Sequence, residues 1–160
     1  MNPNLDYFAA LLLLVQLTVW GCSPGKPATA GDQKDFTPAV LAGNGLLRRF
    51  CSDHPGRMVL KYAQADLDND GKEDLVVIYR VGGEKNQMCV LRYAGAEIVE
   101  TNAVPAPVSD QMIQFRNIDE KPPLEFILQG RKGARVGYAI FRIDQGVLTD
   151  LFGEGMPECC

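Results

Sequence analysis

The sequence holds one histidine and one tryptophan, and aromatic residues make up 8% of its 160 positions. The lone histidine, His54, lies three residues from Cys51. A metal or catalytic role would need further ligands, so it reads as a loop residue. No nucleophile-and-base constellation, phosphate-binding loop or cofactor fingerprint appears. Basic residues form no run or stripe, which argues against nucleic acid as a partner. The longest apolar run, Phe8 to Trp20, is broken by Gln16 and Thr18. It is too short to span a bilayer as a helix, which takes about 20 residues.

What is present is ordinary in bulk and unusual in place. Hydrophobic content of 46% and charged content of 22% suit one globular domain with a modest core. The net charge of −4 is local: Asp66, Asp68, Asp70, Glu73 and Asp74 against Lys72 supply its equivalent.

Ala65 to Tyr79 reads ADLDNDGKEDLVVIY. Carboxylates at this spacing repel unless a hard cation sits between them, and Ca²⁺ accepts six to eight oxygens in irregular geometry. Gly71 supplies the sharp turn that brings a backbone carbonyl, that of Lys72, into the same shell. The opening matches an EF-hand loop, but Val77 stands where a bidentate Glu is needed and a β-branched run follows. That excludes an EF-hand. The loop resembles the calcium-binding loop of FG-GAP and VCBS repeats, the units of integrin-type β-propellers. The resemblance implies Asp66, Asp68, Asp70 and Asp74 as side-chain ligands. The alternative is an acidic, solvated turn.

The Phe8–Trp20 run suits the h-region of an export signal, with 1–21 as the signal segment. It ends in Val19-Trp20-Gly21-Cys22, which resembles the lipobox of bacterial lipoproteins. That resemblance implies lipidation at Cys22 and an exported protein held on the extracytoplasmic side of the cell membrane. The alternative is an uncleaved hydrophobic anchor. Residues 22–35, rich in Pro, Gly, Ala and Thr, are expected to form a flexible tether.

The expected fold is mainly β (α+β by strict class), a single domain over 36–152. Thr37 and Pro38 start a short helix, interrupted at Gly43-Asn44-Gly45 and resumed over Leu46–Phe50. Strands are expected at Met58–Ala63, Leu75–Arg80, Gln87–Tyr93 and Glu97–Thr101. Ala103–Val108 reads as a linker. The first unit, 58–101, then recurs over 111–152. Asp66, Asp68 and Asp74 correspond to Asn117, Asp119 and Glu125, and Val90-Leu-Arg-Tyr to Ile140-Phe-Arg-Ile. Lys121 replaces Asp70 in the second copy, where its ammonium would neutralise Asp119 and Glu125; one Ca²⁺ site is therefore expected. Two antiparallel units of propeller-blade type cannot close a propeller, so they should pack as one curved sheet or two facing sheets.

Residues 153–160, with two glycines and a proline, read as a mobile tail ending in Cys159-Cys160. A bond between adjacent cysteines would be strained and easily reduced, favouring exchange chemistry; the pair could also chelate a soft ion or metalloid. Glu158 and the terminal carboxylate disfavour the thiolate. An exported chain ending in Cys-Cys resembles the Cys-Cys-COOH (seleno)protein SaoC family. This implies an ABC transporter and thioredoxin-like or DsrE-like proteins as partners. For Cys51 and Cys89 the simple reading is a disulfide, closing a loop of about forty residues for roughly 3–4 kcal/mol. The alternatives are a resolving thiol or two free thiols. Two functions follow: a membrane-tethered thiol-redox or soft-metal accessory, or a calcium-stabilised FG-GAP-type surface binding module.

Overall fold

The computed structural model describes residues 29–32 and 38–160 of the chain. The signal segment, Cys22, Phe36 and Thr37 lie outside the described residues.

Strand β1 (Thr29–Asp32) precedes helices α1 (Pro38–Gly43) and α2 (Gly45–Asp53). Asn44 separates the helices and caps the second, its Oδ1 accepting from the Leu47 amide at 2.9 Å. Strands β2 (Met58–Ala65), β3 (Asp74–Gly82), β4 (Lys85–Ala94) and β5 (Glu97–Glu100) form the first unit. Strands β7 (Ser109–Arg116), β8 (Glu125–Lys132), β9 (Arg135–Asp144) and β10 (Val147–Glu154) form the second. Each unit is an antiparallel meander, giving sheets ordered β1-β2-β3-β4-β5 and β10-β9-β8-β7.

Two expected irregular stretches are ordered. Thr29–Asp32, placed in the tether, pairs antiparallel with β2. Val104–Ala106 in the linker is a short strand, β6, paired with β4 beyond the end of β5.

Alternation along β3 explains the layers. Val76 and Ile78 point to one side, where they join Met88 and Val90 against Phe126, Leu128, Phe141 and Ile143 of the second sheet. Leu75, Val77 and Tyr79 point to the other, against Leu46, Leu47 and Phe50 of α2. A strand covered on both faces loses the polar alternation of a half-exposed one, which is why Leu75–Tyr79 reads as a continuous apolar run.

The repeat relates the faces in an informative way. Leu75 and Val77, which face the helix, correspond to Phe126 and Leu128, which face the first sheet. The units therefore stack face to back, as successive propeller blades do, and not face to face about a two-fold axis. Helix α2 covers the back of the first unit. The far face of the second presents Met112, Tyr138 and Phe152 to solvent, the last two with ring centroids 6.0 Å apart.

Residues 153–160 are not a loose tail. Strand β10 runs to Glu154, Gly155 turns at φ 66°, and Met156–Cys159 forms one helical turn, α3. This turn seats against the notch left by the missing Cβ of Gly137 in β9, while its ladder partner Gly130 of β8 makes room for Pro107. Cys159 is fully buried, and its carbonyl accepts from the Val108 amide at 2.9 Å.

Candidate functional site

Two sites stand at opposite ends of strand β3, a length of roughly 25–30 Å at the usual rise per residue. One is the acidic loop before β3. The other is the sulfur-bearing turn near its far end.

In the acidic loop, one carboxylate oxygen each from Asp66, Asp68 and Asp74 lies within 4.8 Å of the others. Oxygens about 2.4 Å from one cation can be up to about 4.8 Å apart, so the trio can hold a metal ion. Asp74 is fully buried; its Oδ2 accepts from the Leu67 amide at 2.8 Å and the Asp68 amide at 3.3 Å. Its Oδ1 is buried with no partner. Burial, reinforced by the neighbouring charges of Asp68 and Asp70, pushes the Asp74 carboxyl up to about 7. A buried carboxylate oxygen without a partner beside two other carboxylates fits a cation.

The structure does not bring Asp70 into the trio. Its Oδ1 accepts from the Lys72 amide at 2.8 Å, while its own amide donates to Asp66 and Asp68. It closes the turn by Asx bonding. The Lys72 ammonium lies 5.2 Å from the Tyr93 ring centroid and donates to the Gly95 carbonyl.

The repeat loop corrects another expectation. Lys121 meets Asp119 through its backbone amide, at 3.0 Å. The cation between the two acids is Arg142, whose Nη1 is 3.3 Å from Asp119 Oδ2 and 3.6 Å from buried Glu125 Oε1. The latter distance is an ion pair and too long for a hydrogen bond. Arg92, the repeat counterpart, contacts Asp68 Oδ2 at 3.1 Å. Sequence matching already aligned these arginines; their reach, from two strands away, was the missing part. Arg142→Gln should leave Glu125 without a cationic partner and cost about 2 kcal/mol in denaturant unfolding, with Arg142→Lys recovering most of it.

At the other end, the Cys159 Sγ lies 3.7 Å from Cys160 Sγ and 3.7 Å from Met156 Sδ. Both cysteines are free thiols. Cys160 is half-buried and lines a cavity of about 740 Å³ between the sheets, together with Val81, Val104, Phe141, Met156 and Pro157. Lys85 and Asp150 also line it. Burial pushes the Cys160 thiol up to about 12, with the adjacent Cys159 adding to the effect and Lys132 opposing it. The thiolate is disfavoured as the sequence suggests, but through burial and the neighbouring thiol rather than through Glu158 or the terminal carboxylate.

Cys51 and Cys89 are free thiols, not a disulfide, although both belong to the core beneath α2. The Glu100 carboxylate stands at Cys89, and burial first, then Glu100, raises that thiol well above its usual range. Glu100 is itself 2.8 Å from His54 Nε2. The His54 ring stacks on Phe50 at 4.6 Å and on Tyr79 at 5.8 Å. His54 thus serves as packing at the end of α2.

Among the described residues, no helix is long and apolar enough to cross a membrane. Comparison with protein-family models, curated proteins and solved structures returns no match.

Proposed function

We propose that this protein is an exported, lipid-tethered accessory whose carboxyl-terminal thiols capture a soft ion or metalloid, in company with a transporter and a thioredoxin-like protein. The resemblance to the SaoC family and the lipobox-like segment ending at Cys22 supply the setting. The observation that carries the chemistry is the pair of free sulfurs 3.7 Å apart, one buried and one lining a cavity.

Ion capture fits this environment better than fast thiol exchange. Exchange needs a thiolate at ambient pH, and the Cys160 thiol is pushed up to about 12. A soft ion displaces the protons itself and holds both sulfurs in place. Serine at positions 159 and 160 keeps the backbone contact to Val108 while removing both ligands. The Cys159→Ser, Cys160→Ser protein should fold normally and lose its tight binding of thiophilic ions. Undiminished binding by the double variant would refute the proposal.

The acidic trio supports a second reading, in which Ca²⁺ is bound by Asp66, Asp68 and Asp74 and the body serves as a binding module of FG-GAP type. Its supporting observation is the unpartnered Asp74 Oδ1. The readings are compatible, since the two sites lie at different ends of the fold.

A further inference from the structure

We infer that the terminal turn forms a three-sulfur site for a monovalent copper-class ion, with the Met156 thioether as the third ligand beside the Cys159 and Cys160 thiolates. This deepens, and rests on, the soft-ion reading of the terminal pair.

The sequence Met156-Pro-Glu-Cys159-Cys160 places the three sulfur residues at i, i+3 and i+4 of a single helical turn. Such positions share one face. Cys159 Sγ stands 3.7 Å from each of the other two sulfurs. With metal–thiolate lengths near ~2.3 Å, two sulfurs 3.7 Å apart subtend about 107° at a shared ion. That is close to the about 109° of tetrahedral coordination and somewhat below the about 120° of trigonal, so both cysteines can bind one ion with little movement.

The ligand set selects the ion. Thioethers are soft, neutral donors suited to Cu(I), whereas Zn²⁺ sites are built from thiolate, imidazole and carboxylate. Among the described residues, the group of three His, Cys, Asp or Glu ligands is the acidic loop, remote from this turn. The sulfur site thus offers no third ligand of the kind zinc prefers. Binding would convert two thiols and one Cu⁺ into a bis-thiolate complex of charge −1, releasing two protons with no change in oxidation state. Lys132 acts electrostatically on Cys160 and would offset that charge. The cavity beside Cys160 and Met156 provides an entry route for the ion.

The test is titration of the reduced full chain with Cu(I) against a chromophoric Cu(I) chelator, paired with X-ray absorption of the loaded protein. One Cu(I) per chain with three sulfur neighbours is expected. Met156→Leu, which keeps the core volume, should retain one Cu(I) with two sulfur neighbours. Its affinity should fall by at least the ~10–100-fold typical of losing an outer-shell partner. Zn²⁺ binding, which does not use the thioether, should be unchanged.

Equal Cu(I) affinity and an equal sulfur shell in Met156→Leu would overturn the three-sulfur assignment while leaving the dithiol reading intact. Copper retained by the Cys159→Ser, Cys160→Ser protein would overturn both. Should Met156→Leu fail to fold, selenomethionine-labelled protein decides the matter. A copper–selenium neighbour supports the site, and its absence overturns it.

Discussion

Replacing Asp74 by Asn should stabilise the cation-free protein near neutral pH and abolish its response to Ca²⁺. Asp74 carries a carboxyl raised from 3.8 to about 7 by its burial, so the folded chain holds this proton more tightly than the unfolded chain does. Stability from this group is therefore full below about pH 4 and falls as pH rises to about 7, where the unfolded carboxyl is ionised and the folded one is being forced to ionise. The total is of order 2–4 kcal/mol. Asparagine keeps an oxygen for the Leu67 and Asp68 amides and places an N–H toward Asp66 and Asp68, without the buried charge.

Thermal melts in chelator should show the wild type losing stability between about pH 4 and 7 relative to Asp74→Asn. Ca²⁺ at about 100 times its dissociation constant should return roughly 2.7 kcal/mol to the wild type. At the affinity of extracellular calcium modules, about 10⁻⁴–10⁻³ M, this needs ten millimolar or more. Identical pH profiles for the two proteins in chelator would contradict the role given to Asp74. A wild-type melting temperature indifferent to Ca²⁺ would contradict the cation site.

Gly137→Ala should expel the terminal turn and expose both thiols. A Cβ at Gly137 would lie 2.5 Å from the Gly155 carbonyl oxygen, 2.6 Å from its carbon and 2.8 Å from Cys159 Sγ. Two of these are backbone atoms of a residue at φ 66°, so a rotamer change cannot relieve the clash. The expected cost is about 2–3 kcal/mol in denaturant unfolding. Cys159, fully buried in the wild type, should then react with a thiol reagent at the rate of an exposed cysteine. Gly133→Ala is the control. Its Cβ meets open space, so it should show only the local strain of φ 59° and wild-type thiol kinetics. Unaltered Cys159 protection in Gly137→Ala would show that the notch does not hold the turn.

The body of the fold was legible because its signals are local. Period-two alternation and turn glycines place strands β2 to β5 to within a few residues, and the fifty-residue echo reveals the second unit. The antiparallel, mainly β architecture follows from those two facts. The terminal turn was misread because Gly153, Gly155 and Pro157 look disruptive in isolation. What orders them is the room left at Gly137 for Gly155 and Cys159, some twenty residues earlier in sequence and silent until the strands are in place. Asp70 stands outside the acidic trio for a local reason. Spacing marks it as a fourth ligand, and in the structure its Oδ1 accepts from the Lys72 amide within the same turn. Charge neutralisation was likewise sought in the nearest cation, Lys121, although strand pairing brings Arg142 to Asp119 and Glu125. The third sulfur was visible at position 156 but had no meaning while the last eight residues read as unstructured.

The head-to-tail arrangement of the two sheets gives the body a polarity that a symmetric sandwich would lack. Duplication of one more unit could extend it beyond the face bearing Ile127 and Tyr138, because those positions repeat Val76 and Met88, which already receive a neighbour. No unit can be added before the first without dislodging Leu47 and Phe50. The short amino-terminal helix is thus a terminator, and the architecture can lengthen in one direction only.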